Sequence, residues 1–143
     1  MTRGDDERTP STKARGDAAE AAAARLLLSK GYEILAQQVR AGGVEIDLVV
    51  RAPDEDPPLL VFVEVRSRSD LRLGHPLETV DAAKQRRLIR GATAWLTERD
   101  LLGRVQVRFD VMAWELPLED LRRVADADES QCSWIRGAFE ADG

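Results

Sequence analysis

The sequence predicts an α/β protein with a mixed β-sheet flanked by helices. Three observations support this fold class. An alanine-rich helical segment comes first, three strand-like segments follow it closely, and a second helical segment separates the third strand from a fourth. The element order is therefore α, β, β, β, α, β. Short links make the first three strands an antiparallel meander, whereas a helical crossover favours a fourth strand parallel to the third.

The first helix is predicted from about residue 13 to residue 30, because alanine and leucine dominate it and Gly31 follows as a stop. The polar, charged residues 1–12 before it are predicted to be a disordered N-terminal arm. Residues 13–143 are long enough for one domain with a sizeable core. Residues 32–40 are predicted to be the first strand.

The second and third strands are predicted at residues 44–50 and 61–66, which are rich in β-branched side chains but carry charge in the middle. If they pair as a hairpin, one face is apolar, and the other sets Asp47 opposite Glu64. The apolar pairs of this register are Val50 with Val61, Leu48 with Val63 and Ile46 with Val65.

Asp47 and Glu64 suggest chemistry, because side chains directly opposite each other in a sheet have Cβ atoms about 5 Å apart. Two carboxylates at that distance repel unless one is protonated or a cation lies between them. A divalent metal is the functional interpretation. The structural alternative is a pair of solvated carboxylates on an open sheet face.

The second helix is predicted over residues 80–101 with Thr79 as its N-cap, and the fourth strand over residues 105–114. Trp95 and Trp114 are expected in the core. The later segment around Trp134 is expected to dock on the sheet, without being assigned to a strand.

The charge distribution says more than the net charge of −5. Residues 66–90 hold seven basic and three acidic residues, whereas residues 110–143 hold nine acidic and three basic residues. A basic stretch next to paired carboxylates is compatible with a phosphate backbone as partner. Its alternative is a solvated helix face.

The cellular setting predicted from the sequence is reducing and cytoplasmic. A single cysteine, Cys132, excludes an internal disulfide and is expected to be inert. No apolar run is long enough to span a membrane, which needs about 20 residues, and no secretory signal is visible at the N-terminus.

Several motifs in order resemble the YraN-like family of the PD-(D/E)xK endonuclease-like superfamily, which is similar to archaeal Holliday-junction resolvases. The resemblance spans roughly residues 15–114, with a weaker match near 134–139. The residues that carry it are Glu20, Glu45-Ile46-Asp47-Leu48, Phe62-Val63-Glu64-Val65, Arg66, Arg68, Gly74, Val80, Lys84, Arg108-Phe109-Asp110-Val111 and Ala138-Phe139.

The resemblance implies a restriction-endonuclease-like αβββαβ core and a site for Mg²⁺ or Mn²⁺. In the family pattern Asp47, Glu64 and Glu20 match the metal-binding acids. Arg66 lies where the family has lysine, and an arginine stays charged, so it cannot act as a base. We therefore expect Lys84 to reach in from the second helix in place of that lysine. Taken without the resemblance, the sequence favours Glu20 as a surface residue of the helix.

Two functions follow from the resemblance. The first is a metal-dependent nuclease that hydrolyses DNA, branched DNA included, with Asp47, Glu64, Arg66 and Lys84 as catalytic residues. The second is a catalytically weak or inactive module of the same fold that binds nucleic acid or a protein, which the arginine at position 66 and the negative net charge favour. A homodimer is possible in either case. The residues expected to contact nucleic acid are Arg66, Arg68, Arg72 and Arg87.

Overall fold

The computed structural model describes residues 12–67, 80–114 and 129–141. Within them lie two α-helices, five strands and one short 3-10 helix. In chain order these are α1 (Thr12–Ser29), β1 (Glu33–Ala41), β2 (Val44–Arg51), β3 (Leu59–Arg66), α2 (Ala82–Glu98), β4 (Gln106–Trp114), the 3-10 turn (Glu129–Gln131) and β5 (Cys132–Phe139). Residues 1–11 of the predicted arm lie outside the described residues, and α1 begins at the last residue assigned to that arm.

The five strands form one mixed sheet in the order β1-β2-β3-β4-β5. β1, β2 and β3 pair antiparallel, and β4 pairs parallel to β3 after the α2 crossover. The predicted α/β class and the αβββαβ order are therefore confirmed. β5 adds an antiparallel strand on the far side of β4, where the sequence had predicted only a docked segment.

The helices pack on opposite faces of the sheet and bury two apolar clusters. The α1-side cluster includes Leu26, Leu27, Leu48, Val50, Val61, Val63, Met112 and Trp114. The α2-side cluster includes Ala41, Ile46, Val49, Leu60, Phe62, Trp95, Leu96 and Phe109. Both tryptophans predicted for the core are in it. Neither helix in the described part of the chain is long and apolar enough to cross a membrane.

The predicted β2–β3 register is correct where the ladder forms, with Leu48 opposite Val63 and Val50 opposite Val61. The prediction that Ile46 shares the face of Leu48 is wrong. Ile46 packs in the α2-side cluster, and a Cβ added to Gly91 of α2 would lie 3.4 Å from its Cδ1. β2 therefore changes face between these residues, at Asp47.

α2 begins two residues later than predicted and ends earlier. Its N-cap is Asp81, whose Oδ1 accepts a hydrogen bond of 2.8 Å from the backbone N–H of Lys84. Thr79, the predicted N-cap, lies outside the described residues. An aspartate three residues before a backbone N–H satisfies one of the donors left unpaired at a helix start, and it fixes the first turn from which Lys84 extends.

A buried carboxylate, Asp110, ties β5 to β4. It accepts hydrogen bonds from Arg108, from Trp134 Nε1 at 2.9 Å and from the Gly137 backbone N–H at 3.0 Å. Arg108 also donates to the Tyr32 hydroxyl. With its acceptor capacity used in this way, Asp110 has a structural role.

Candidate functional site

The candidate site lies where β2 and β3 separate. The backbone ladder between them is recorded from Leu48 and Val63 towards the hairpin loop. One residue beyond it, the Asp47 carboxylate takes the place of a backbone acceptor, with its Oδ2 2.8 Å from the Val65 backbone nitrogen. This hydrogen bond holds the carboxylate of β2 against β3 and brings it to Glu64.

Glu64 is a buried carboxylate between two cations. Its Oε2 lies 3.4 Å from Arg66 Nη2 and 3.7 Å from Lys84 Nζ. Arg66 follows by two residues on the same strand, so both side chains leave the same side of β3. Lys84 reaches the site from the first turn of α2, as the sequence had suggested.

Three carboxyl groups meet in pairs, with Asp47 in the middle. The side chain of Asp47 interacts with those of both Glu20 of α1 and Glu64 of β3. Two ionised carboxylates this close repel, so the arrangement favours a proton on one of them or a cation between them. The paired acids predicted from the sequence therefore lie together, and the helix glutamate joins them.

Burial raises the pKa of each acid, and the charge of Asp47 adds to the shifts of Glu20 and Glu64. Burial, followed by the charge of Asp47, raises the pKa of Glu64 to about 7 and that of Glu20 to about 8. Burial also raises the pKa of Asp47, although the Val65 N–H opposes the shift. Clusters of shifted acids are typical of functional sites, although structural networks produce them as well.

The donor set fits a small divalent cation through two direct carboxylate ligands. Within residues 12–67, 80–114 and 129–141, no three His, Cys, Asp or Glu side chains converge as a metal-binding group. Mg²⁺ is usually held by one or two carboxylates and several waters, so Asp47 and Glu64 meet its requirement without a third. Glu20 contacts Asp47, a place from which it can act on a ligand or on its bound water.

Of the other residues predicted to contact nucleic acid, Arg87 lies in the described part of the chain, and Arg68 and Arg72 do not. Arg87 is exposed on α2, three residues after Lys84 and so on a neighbouring part of the helix surface. Arg68 and Arg72 lie outside the described residues, so their predicted contact with nucleic acid stays a prediction. Burial raises the pKa of the Cys132 thiol to about 12, as expected for an inert thiol.

Two groups at the site were not predicted from the sequence. The Val65 backbone N–H carries no side-chain signal. Gln38 of β1 contacts Asp17 and Glu20 of α1. Its backbone has a left-handed conformation, which the presence of a glutamine in a strand does not predict.

Comparison with known proteins places the chain among close relatives. A family model described as "Uncharacterised protein family UPF0102" matches residues 19–114. A UPF0102 protein of Moorella thermoacetica is 42% identical over 132 residues, which is 92% of this chain and 99% of the relative. The UPF0102 protein YraN of Salmonella newport is 42% identical over 138 residues, which is 96% of this chain and 92% of the relative.

Proposed function

The chain belongs to the UPF0102 family, the group that includes YraN, and from its site we propose that it is a metal-dependent nuclease that hydrolyses phosphodiester bonds of DNA. One observation carries the proposal. The partly buried Asp47 and the buried Glu64 come from adjacent strands and interact at the sheet end, and two cationic side chains lie within 4 Å of the second acid. A divalent cation between the two acids would remove their repulsion.

Asp47 and Glu64 would hold Mg²⁺ or Mn²⁺, with the Val65 carbonyl as a further oxygen ligand. When bound, such an ion lowers the pKa of its water and polarises a phosphate oxygen. The residues of the chain hold the carboxylate ligands in position. The Val65 N–H keeps the Asp47 carboxylate in place, and Glu20 contacts it from the side of α1.

The two cations have different capacities. The Arg66 guanidinium donates two parallel hydrogen bonds to a phosphate and keeps its charge, so it positions the substrate and stabilises the charge that develops on it. The Lys84 ammonium is a compact charge with three donors, suited to orient an attacking water or a phosphate oxygen. Lys84 thus supplies, from α2, what the lysine of the family pattern supplies from the strand.

The experiment is a cleavage assay with Mn²⁺ on linear, nicked and four-way DNA. We expect the native protein to cut at least one substrate, and Asp47→Asn and Glu64→Ala to lose that activity. Asparagine keeps an oxygen that can accept the Val65 hydrogen bond, so the first variant should fold. As a control, Glu98→Gln changes an exposed glutamate of α2 and should leave cleavage intact.

Metal binding is tested separately by thermal unfolding. Mn²⁺ at 100 times its dissociation constant should stabilise the native protein by about 2.7 kcal/mol, and Asp47→Asn should lose the shift. No cleavage and no shift in the native protein would refute the proposal.

The second candidate is a module of the same fold that binds nucleic acid without cutting it. It is favoured by the arginine at position 66 and by Glu64 Oε2, which lies close to both Arg66 and Lys84. This alternative predicts DNA binding that weakens steeply with salt, because counterions are released from the phosphates. Its binding would not depend on Mn²⁺.

A further inference from the structure

β1 and β2 change face at the same level of the sheet. In each strand, two residues three apart pack in the α2-side cluster, although strict alternation would place them on opposite faces. These residues are Ala36 and Val39 in β1, and Ile46 and Val49 in β2. The register pairs Gln37 with Leu48 and Val39 with Ile46, so Gln38 lies level with Asp47 inside this double break.

Gln38 accommodates the break in β1 by adopting a left-handed backbone conformation, with φ of 48°. Only glycine enters this region without a steric cost, and asparagine and aspartate are the side chains that tolerate it best. A glutamine here is strained. Strain of this kind persists where the surrounding structure enforces it, and it concentrates at functional sites.

The strained backbone directs the Gln38 amide to two acids of α1. Its Nε2 lies 2.9 Å from Asp17 Oδ1, and its side chain also interacts with the Glu20 carboxyl group, whose pKa it lowers. Asp17 and Glu20 are three residues apart and so lie next to each other on the helix surface. Glu20 in turn contacts Asp47. The amide therefore connects β1 to the helix glutamate at the level of the strand aspartate.

We propose that Gln38 is a positioning residue, whose amide holds the Glu20 carboxyl group against Asp47 and so sets the geometry of the acid that would bind the metal. The inference rests on the proposed function for its consequence in metal binding, but the arrangement itself can be tested without metal. Substitution of residues that orient metal ligands typically weakens metal binding by about 10- to 100-fold.

The test compares two substitutions that relieve the same backbone strain. Gln38→Gly removes the amide at the site. Asp54→Gly is the matched control, because Asp54 also has a left-handed conformation, with φ of 58°, but lies in the loop between β2 and β3. Neither variant should lower the melting temperature in EDTA by more than a few degrees, because glycine suits both positions.

Crystal structures of the native protein and both variants supply the metal-free measurement. We expect the Glu20 carboxyl group to leave Asp47 in Gln38→Gly and to stay within hydrogen-bond distance in Asp54→Gly. Titration with Mn²⁺ by calorimetry should show binding weakened about tenfold in Gln38→Gly alone.

A Gln38→Gly crystal structure with Glu20 unmoved would overturn the inference, and so would unchanged Mn²⁺ affinity. If the native protein binds no Mn²⁺ at all, the proposed function fails, while the crystal structures still decide the role of Gln38.

Discussion

Replacement of Glu64 by glutamine should stabilise the metal-free protein at pH 8 and have little effect at pH 5. Burial and the neighbouring Asp47 raise the pKa of Glu64 from 4.5 to about 7. Between these two values the native state keeps a proton that the unfolded chain has released. The native state binds more protons there, so stability falls as pH rises through the window. The loss is complete above pH 7, and a glutamine avoids it.

The magnitude follows from the shift. One pKa unit corresponds to about 1.4 kcal/mol, so the raised value corresponds to about 3 kcal/mol between the two protonation states. The variant does not gain all of this energy, because Arg66 and Lys84 lose the anion that faces them. We expect a net gain of about 2 kcal/mol at pH 8 and less than about 1 kcal/mol at pH 5.

Urea unfolding in EDTA at the two pH values measures this gain. With a slope of about 2 kcal/mol per molar urea, the midpoint of Glu64→Gln should exceed that of the native protein by about 1 M at pH 8. Glu98→Gln, on the exposed part of α2, should show no such pH-dependent difference. A Glu64→Gln variant that is less stable than the native protein by the same amount at both pH values would refute the reasoning.

Three further predictions concern single side chains. Lys84→Ala should slow single-turnover cleavage at saturating Mn²⁺ by about 100-fold, the usual effect of losing one charge-stabilising donor; an unchanged rate would show that this lysine does not replace the one in the family pattern. Asp110→Ala should lower the free energy of unfolding by about 3 kcal/mol, because it leaves Arg108 without its buried partner, and denaturant unfolding will check this. Gly91→Ala should cost about 1 to 3 kcal/mol in the same assay, since its new Cβ would lie 3.1 Å from Val44 Cβ; a neutral result would mean that the turn before β2 can move away from α2.

The sequence predicted the elements that have strong local signals. The α1 segment combines high helix propensity with a terminal glycine, and β2 and β3 combine β-branched residues with one workable register. That register predicts that Asp47 and Glu64 lie close together. The pairing of β4 parallel to β3 followed from the intervening helix, which leaves room for a crossover.

The remaining features depend on tertiary contacts that leave weak traces in a sequence. β5 is an edge strand with mostly half-buried residues, so it lacks the sharp alternation of β4. The change of face at Asp47 and Gln38 breaks the period of two on which the predicted strand faces depended, and the residue types give no sign of it. The start of α2 shifted because Asp81, inside the expected helix, is itself a good N-cap.

The spatial order of the strands, which follows their order in the chain, has a consequence for folding. β1, β2 and β3 are joined by short links and can pair through local contacts. β4 can pair with β3 only after the chain of the α2 crossover has brought the two strands together. Glu20, Asp47 and Glu64 all belong to the early-forming half, while Lys84 comes with the later half. Early intermediates would therefore gather the three acids with Arg66 but without Lys84, and refolding should be faster in acid than at neutral pH.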